Sequence, residues 1–366
     1  DCQGRYREAE PLFLQAWELC KRLLGEAHPL VVASLNNLAN LYNSLGRYSE
    51  AESLLMEALK LSKHVLGEAH PLVVVNLSNL AKLYHAQGYY SEAEPLFLQA
   101  LELSVHVVGE DHPDVATHLN NLANLYNCQS RYSEAEPLLL QALQIAKRFL
   151  GEDHPYVAIN LNNLAQLYSY QGHYIKAEPL YLQALELTQR SLGEEHPHVA
   201  ASLNNLAGIY NFQGRYSEAE PLFLQALKLS ERVLGEDHPQ VAASQSNLAK
   251  LYFSQERYSE AEPLFLQALE LTKCILGEDH PDFADNMNSL ANICYLQGRY
   301  REAESMLTQT LEIYQQRLGS DHPQTINCKE NLAMLRNYLN SPARDLPNLN
   351  QKAKKGSSKK KPKGFG

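Results

Sequence analysis

Cysteine is scarce in this chain, and no two cysteines form a Cys-x-x-Cys pair. The six cysteines are scattered along the 366 residues, at Cys2, Cys20, Cys128, Cys274, Cys294 and Cys328. Zinc sites and disulfide frameworks need cysteines at short, regular spacings. The sequence therefore predicts reduced thiols in a cytosol-like compartment and no bound metal.

Long apolar runs are also absent. No segment approaches the roughly 18 apolar residues that a membrane helix needs, and the start of the chain does not resemble a signal peptide. We therefore expect a soluble cytoplasmic protein. Because the chain begins with Asp1 just ahead of a half unit, we also expect that a preceding segment is missing.

Catalytic motifs are missing as well. The chain contains no G-x-S-x-G, P-loop, H-E-x-x-H or G-x-G-x-x-G sequence. Catalysis needs unlike groups that converge on one point, whereas this chain repeats like groups along a line. The sequence predicts a protein that is not an enzyme and needs no cofactor.

Positive charge is rare except at the C-terminus. The chain carries a net −10, but residues 341–366 contain eight basic residues and one acid, a net +7, which leaves −17 for the first 340 residues. Binding of nucleic acid needs clustered Lys and Arg, so it is not expected along the body. The lysine-rich segment 341–366 is predicted to be a disordered basic tail.

What the chain has in abundance is a repeat. The run LNNLANLY, first seen from Leu35 to Tyr42, returns every 42 residues, and a His-Pro pair stands seven residues before each copy. Such periodicity predicts a repeat array in which each unit packs on its neighbours. We divide the array 1–340 into a partial unit 1–27, units that begin near 28, 70, 112, 154, 196, 238 and 280, and a capping helix at 322–340.

Each unit is predicted to be an antiparallel pair of helices. Leu35, Leu38, Ala39 and Tyr42 form an i, i+3, i+4, i+7 stripe on a first helix that begins at a proline. The segment Ser49–Glu52 has the pattern of a capping box for the second helix, which is expected to end at a glycine. Sixteen helices follow, the last ending near residue 340.

The patterns L-x-x-L-A-x-L-Y and G-x-Y-x-E-A resemble tetratricopeptide repeats. The 42-residue unit, with LNNLA, G-x-Y-x-E-A-E and L-G-E-D-H-P, is similar to the repeats of kinesin light chains and their bacterial relatives. This resemblance implies an all-α, right-handed superhelical solenoid whose first helices line a concave groove for peptides or partner helices. For a true light chain, it implies a microtubule motor heavy chain or a cargo protein as partner.

Polar residues opposite the apolar stripe of the first helices are predicted to line this groove. They are mostly amides, although asparagine costs about 0.5 kcal/mol in a helix relative to alanine. Two interpretations of the Asn37 position remain open, contact with a peptide backbone and a hydrogen bond to the next hairpin, whereas Asn36 and Asn40 are predicted to contact the partner. The predicted groove residues are Asn36, Asn37, Asn40, Asn43, Lys82, Asn120, Asn121, Asn124, Asn127, Asn162, Asn163, Gln166, Asn204, Asn205, Asn211, Lys250, Asn288 and Asn292.

Two interpretations stay open for the residues that interrupt the amides: they give the groove its specificity, or they are solvated positions without a role in binding. Lys82 and Lys250 are placed to meet a ligand carboxylate, and His85 and the aromatic residues Tyr170, Phe212, Phe253 and Tyr295 to form side-chain pockets. The histidines of the His-Pro pairs occupy one loop position per unit, too far apart to share a metal. A helix-capping role is predicted for them.

Three functional hypotheses follow. The first is a non-enzymatic scaffold that binds a protein or peptide in its groove, in the manner of a cargo adaptor. The second is a bacterial regulatory or assembly array that forms part of a larger protein. The third is attachment to nucleic acid or to a membrane surface through the basic tail.

Overall fold

The computed structural model describes residues 6–26 and 28–340, and these residues form sixteen α-helices and no strand. The prediction of an all-α array of sixteen helices is confirmed. The basic segment 341–366 lies outside the described residues. The helices are α1 (Tyr6–Leu24), α2 (Pro29–Ser44), α3 (Tyr48–Leu66), α4 (Pro71–Ala86), α5 (Tyr90–Val108), α6 (Pro113–Cys128), α7 (Tyr132–Leu150), α8 (Pro155–Tyr170), α9 (Tyr174–Leu192), α10 (Pro197–Phe212), α11 (Tyr216–Leu234), α12 (Pro239–Ser254), α13 (Tyr258–Ile275), α14 (Pro281–Leu296), α15 (Tyr300–Arg317) and α16 (Pro323–Asn340).

The first helix of each unit is capped by its histidine. In α4, His70 is the N-cap residue, Pro71 occupies the first helical position, and His70 Nδ1 accepts the backbone N–H of Leu72 at 3.1 Å. This bond satisfies one of the backbone donors that a helix start leaves unpaired. The equivalent bond forms in all eight first helices, which confirms the capping role, at His28, His70, His112, His154, His196, His238, His280 and His322.

The second helices begin differently from the prediction. Helix α3 starts at Tyr48, one residue before Ser49, and its N-cap Arg47 makes no side-chain cap bond. The expected capping box is wrong because the helix begins before Ser49 and because Glu52, the carboxylate of the box, accepts Tyr84 Oη at 2.8 Å. In the first turn, Glu50 accepts Arg47 Nε at 2.6 Å and Arg47 Nη2 at 2.5 Å. Arg47 Nη1 also reaches Glu10 of the preceding hairpin at 2.7 Å. A bidentate guanidinium–carboxylate pair is a stronger contact than a neutral cap, and here it also joins neighbouring hairpins.

Small residues let the two helices of a hairpin approach closely. Ala39 of α2 and Ala51 of α3 are fully buried in the same apolar cluster. The equivalent pairs are buried in the six following hairpins, up to Ala291 and Ala303. Each hairpin therefore has a dry seam where a larger side chain would separate the helices.

First helices lie on the inside of the array. Neighbouring first helices, such as α2 and α4 or α6 and α8, approach each other more closely than neighbouring second helices do. Layers that are closer on one side than on the other produce curvature. The first helices therefore line the concave face, and the second helices form the convex face.

The array also closes on itself. Gly46, between α2 and α3, lies against the start of α14, where a Cβ added to Gly46 would be 3.0 Å from His280 Cδ2. Gly88, between α4 and α5, is closer still to His322, whose Cδ2 would be 2.4 Å from an added Cβ. Each histidine follows its glycine by 234 residues, about five and a half 42-residue units. The solenoid therefore completes a superhelical turn, and its first hairpins contact its last ones.

Burial at this contact sets it apart from equivalent positions elsewhere. His280 is buried, whereas the capping histidines of α2 to α12 are partly or fully exposed. Tyr48 packs on the apolar cluster of α14 to α16. Burial, together with the carboxylate of Asp282, raises the pKa of Tyr48 to about 12. The contact thus excludes solvent and closes one side of the groove.

Candidate partner-binding groove

The predicted groove residues differ widely in exposure. Six are exposed on the first helices, namely Asn37, Asn40, Lys82, Gln166, Asn205 and Lys250. Nine are half-buried, namely Asn43, Asn121, Asn124, Asn162, Asn163, Asn204, Asn211, Asn288 and Asn292. Three are buried, namely Asn36, Asn120 and Asn127. The structure therefore leaves only part of the predicted set on the surface of the groove.

The placement of Asn36 and Asn120 on an exposed face was wrong. They are 5% and 6% exposed, because their phase on the helix points toward the next first helix. Asn36 Nδ2 donates to Asn76 Oδ1, and Asn120 Nδ2 donates to Asn160 Oδ1 at 2.8 Å. A buried amide without such a bond is costly. These side chains hold neighbouring hairpins together and do not line the groove.

This bond recurs along the array with a spacing of 40 residues. Its members are polar residues at the Asn36 phase of one unit and polar residues at the Asn76 phase of the next. The pairs with direct bonds are Asn36–Asn76, Ser78–His118, Asn120–Asn160, Asn204–Ser244 and Ser246–Asn286. Sequence reasoning missed the second member of each pair, although a polar residue recurs at that phase beside the apolar stripe. We call this set the stacking ladder.

The Asn37 position, for which two interpretations stood open, joins the ladder in two units. Asn79 Nδ2 donates to Asn36 Oδ1 at 3.2 Å, and Asn163 Nδ2 donates to Asn120 Oδ1 at 3.1 Å. The Asn37 and Asn205 side chains, at the same position, remain exposed. A hydrogen bond between hairpins is therefore the observed role in the two bonded copies.

Two other predicted groove positions are buried. Asn127 is 5% exposed, and neither its Oδ1 nor its Nδ2 has a hydrogen-bond partner among the described residues. Tyr295, at the same position four units later, is 4% exposed and packs in the cluster of α14 to α16. The expectation that these side chains face the groove was wrong. Their helix phase lies at the edge of the apolar stripe, which the next hairpin covers.

A cavity opens on the concave face between α4 and α6. It has a volume of about 250 Å³, and its lining includes Ser78, Asn79, Lys82, His118 and Asn121. Serine replaces the usual asparagine of the stacking ladder at Ser78, so the ladder bond here runs from Ser78 Oγ to His118 Nδ1 at 2.9 Å. The shorter side chain leaves space in front of the Lys82 ammonium. We call this cavity the Lys82 pocket.

The same pocket recurs four units later, between α12 and α14. Its volume is about 180 Å³, and Ser246, Asn247 and Lys250 occupy the positions of Ser78, Asn79 and Lys82. Ser246 Oγ donates to Asn286 Oδ1 at 2.6 Å. Two of the residues predicted to give specificity, Lys82 and Lys250, therefore occupy equivalent pockets.

The two pockets differ in charge. Desolvation by the pocket walls lowers the pKa of Lys82 although part of its side chain is exposed, and burial together with the Lys82 charge lowers the pKa of His118 to about 4. His118 is therefore neutral near pH 7, and Lys82 supplies the positive charge. In the second pocket Asp285 replaces Thr117, and Asp285 accepts Tyr314 Oη and Gln324 Nε2. Asp114 and Asp282 occupy equivalent positions in the two linings, so the difference is the additional carboxylate of Asp285 close to Lys250, which makes the second pocket less suited to an anion.

Aromatic side chains stand exposed between the pockets. Tyr170 is 55% exposed and accepts Gln166 Nε2 at 3.1 Å, and Phe212 is 71% exposed and stacks on Tyr174. His85 Nε2 lies 3.3 Å from Cys128 Sγ in the same groove.

The described residues contain no cluster of three His, Cys, Asp or Glu side chains that could hold a metal ion, and none of their helices is long and apolar enough to span a membrane.

Comparison with known proteins agrees with this architecture. The tetratricopeptide repeat profile matches residues 2–64, 42–104, 72–147, 114–190, 171–229, 198–273 and 275–344. The chain belongs to the tetratricopeptide repeat family, as its sequence motifs predicted. No curated protein matches the chain significantly.

Several solved structures are similar to parts of the chain. A putative kinesin light chain of Podosopora anserina with nearly identical repeats is 29% identical over 56% of this chain and 97% of its own, with a TM-score of 0.45. BtubC from P. vanneervenii is 27% identical over 64% and 93%, with a TM-score of 0.49. A signal transduction ATPase with a tetratricopeptide repeat sensor, from Pyrococcus horikoshii, shares the fold at 17% identity, covering 92% of this chain and 50% of its own, with a TM-score of 0.52.

Proposed function

We propose that the chain is a non-catalytic scaffold whose concave groove binds an extended segment of a protein partner. Membership of the tetratricopeptide repeat family supports a role in protein interaction. The observation that carries the proposal is the Lys82 pocket, which places a cation, several amides and an apolar wall at one point of the groove. An extended segment suits the site because the contact between the end hairpins closes one side of the groove.

The Lys82 pocket fits a carboxylate at the end of a short apolar stem. Val74, Val75, Val107 and Val108 form its wall, and its charged lining residues are Lys82, which would meet the ligand, and Asp114. A glutamate or aspartate side chain, or a C-terminal carboxylate, matches this arrangement. Tyr170 and Phe212, further along the groove, would accept apolar side chains of the same segment.

The adaptor form of this proposal rests on the similarity of the 42-residue unit to kinesin light chain repeats. In that form the groove would hold a cargo protein or a motor heavy chain, in the cytoplasm. The free thiols at Cys20, Cys128, Cys274, Cys294 and Cys328 suit a reducing compartment. The hypothesis that the basic tail attaches to nucleic acid or membrane falls on residues 341–366, outside the described residues, and stays a prediction.

The proposal is tested by measuring the affinity of the chain for a set of synthetic extended peptides that differ in their number of Asp and Glu residues. We expect bound peptides to be enriched in Asp and Glu. The Lys82→Ala variant should bind them about tenfold to a hundredfold more weakly, since a hydrogen bond to a charged group contributes about 1.5–3 kcal/mol. Lys250→Ala should lose less affinity because the nearby carboxylate of Asp285 already weakens the attraction of Lys250 for an anion.

Lys228→Ala is the matched control, because Lys228 is exposed on α11, a second helix of the convex face. Its affinity for the same peptides should equal that of the unchanged chain. Peptide binding that ignores acidic content, or equal losses in the Lys82 and Lys228 variants, would contradict the carboxylate assignment. Asn120→Ala is unsuitable as a binding test because Asn120 belongs to the stacking ladder.

A further inference from the structure

The contact that closes the superhelix is made twice with the same parts. In each copy, the glycine of a turn inside one hairpin lies against the histidine that caps a first helix of a distant unit. A Cβ added to Gly46 would have Cδ2 and Nε2 of His280 within 3.5 Å, and a Cβ added to Gly88 would have the same two atoms of His322 within 3.2 Å. The same edge of the imidazole ring therefore faces the opposite hairpin in both copies.

The cap bond fixes where each of these rings carries its proton. His280 Nδ1 accepts the backbone N–H of Asp282 at 3.1 Å, and His322 Nδ1 accepts that of Gln324 at 3.2 Å. A neutral imidazole has one accepting and one donating nitrogen, so both rings carry their proton on Nε2. His280 is also hydrogen-bonded to the backbone of Ser44, at the end of α2. A second proton could bind only at Nδ1, where it would break the cap.

The surroundings of His280 disfavour a positive charge. Burial is the largest effect, and it lowers the pKa of His280. The carboxylate of Asp282, 3.8 Å from Nδ1, favours the charge but is 62% exposed, and Arg317 of α15 opposes the charge. From α3 the titratable group is Tyr48, whose pKa of about 12 keeps it neutral near pH 7. Closure therefore favours the neutral ring.

His322 is held in the same way by uncharged groups. Burial alone lowers its pKa among the described residues. Across the contact it faces Gly88, and the neighbouring Tyr89 hydroxyl lies against Gly319, in the loop before α16. A proton on His322 would thus place a charge between two hairpins without a carboxylate to pair with it.

The capping histidines elsewhere in the array lack this constraint. His154 Nδ1 accepts the backbone N–H of Tyr156 at 3.1 Å, but the His154 side chain is exposed. A proton on His154 costs a cap bond to the same extent whether the superhelix is closed or open. A proton on His280 or His322 costs more in the closed state, because there the ring is enclosed by the opposite hairpin.

We propose that the contact is a gate that acid opens, in which protonation of His280 and His322 separates the first hairpins from the last and exposes the groove on that side. The closed state holds both rings neutral, whereas in the open state they face solvent and bind protons near pH 6.5, as a free histidine does. The closed state is therefore fully favoured above about pH 6.5 and loses stability relative to the open state as the pH falls below it. This inference concerns the contact alone and holds for any ligand of the Lys82 pocket.

Small-angle scattering and sedimentation velocity on the full chain, from about pH 7.5 to about pH 5, test the gate. The radius of gyration should increase and the sedimentation coefficient should fall as the pH drops below about 6.5. Sedimentation also reports mass, which separates opening from association near the isoelectric point of about 5.8. Circular dichroism should show the same helix content throughout, because opening separates hairpins without unfolding them.

A double variant, His280→Asn with His322→Asn, removes both titrating rings and keeps a good N-cap residue at each position. It should have the same dimensions at pH 5 as at pH 7.5. His154→Asn is the matched control, because it makes the same replacement at an exposed cap, and it should expand with acid as the unchanged chain does. An unchanged chain that does not expand, or a double variant that expands as much as the unchanged chain, overturns the proposal.

If the double variant is already expanded at pH 7.5, the imidazole NMR signals of the unchanged chain decide the question. The signals of His280 and His322, assigned with the two single variants, should titrate below about pH 6.5 and together with the expansion. Expansion at a pH where both rings remain neutral overturns the gate. So does protonation of both rings in a chain whose radius of gyration stays constant.

Discussion

The contact that closes the superhelix can be tested at Gly88 with a matched control inside the same chain. Gly88 and Gly172 occupy equivalent turns, with φ values of +76° and +75°. Alanine is strained by about 1–2 kcal/mol at such a positive φ, and the strain is the same in both turns. Only the surroundings differ: a Cβ at Gly88 would lie 2.4 Å from His322 Cδ2, whereas a Cβ at Gly172 meets nothing within 4 Å.

The clash at Gly88 cannot be relieved cheaply. The His322 ring would have to move by about 1 Å or more, because unbonded carbon atoms rest about 3.5–4.0 Å apart. His322 Nδ1 accepts the backbone N–H of Gln324 at 3.2 Å, so turning the ring breaks the cap of α16, a loss of about 0.5–2 kcal/mol. Separating the two hairpins instead exposes Tyr48 and its neighbours. We therefore expect Gly88→Ala to weaken the contact by about 1–3 kcal/mol more than Gly172→Ala does.

Hydrogen exchange and small-angle scattering would measure this difference. In Gly88→Ala, backbone amides near residues 277–283 and 319–324 should exchange faster, and the radius of gyration should increase. Gly172→Ala should leave both measurements close to those of the unchanged chain, although both variants lose some thermal stability. Identical exchange and scattering in the two variants would refute the closed superhelix.

Two further predictions concern the stacking ladder. Asn76→Ala should lower the free energy of unfolding by about 2–3 kcal/mol, because Asn76 bonds to Ala58 O, Ser62 Oγ and Asn36. Asn37→Ala, at an exposed site, should change the free energy of unfolding by about 0.5 kcal/mol or less. Denaturation midpoints check both, and equal losses would show that the ladder does not stabilise the array. The pKa of His118 is about 4 in the folded chain against about 6.5 when unfolded, so the unfolded chain binds the extra proton and stability should fall as pH drops from 7 to 4. His118→Asn, which places at this position the residue found at Asn160, should reduce that loss by about 3 kcal/mol. Melting temperatures of both chains, measured from pH 7 to pH 4, check this prediction. An equal dependence of melting temperature on pH in the two chains would contradict it.

The hairpins were predictable because their causes are local. The stripe formed by Leu35, Leu38, Ala39 and Tyr42 fixes one helix face, and the His-Pro pair fixes where the helix begins. The start of α3 was missed because the contacts that decide it come from other hairpins: Arg47 bonds to Glu10 as well as to Glu50, and Glu52 bonds to Tyr84. The burial of Asn36 was missed for a related reason: its phase lies between the groove and the next helix, and only the stacking distance decides which one it faces.

Closure of the superhelix depends on the sum of small rotations between units, which no single unit encodes.

Closure of the superhelix nevertheless limits which kind of partner can reach the groove. Lys82 lies on α4 six residues before Gly88, and Asp282 and Asp285, which line the second pocket, also act on the pKa of Tyr48. The second pocket therefore adjoins the contact that closes the groove, and the Lys82 pocket lies on the helix that precedes the turn at Gly88. In the proposed function, an extended segment can lie along the groove with this contact intact, and it needs less room beside the contact than a folded domain does. The geometry thus favours an extended peptide over a globular surface as the partner of the groove.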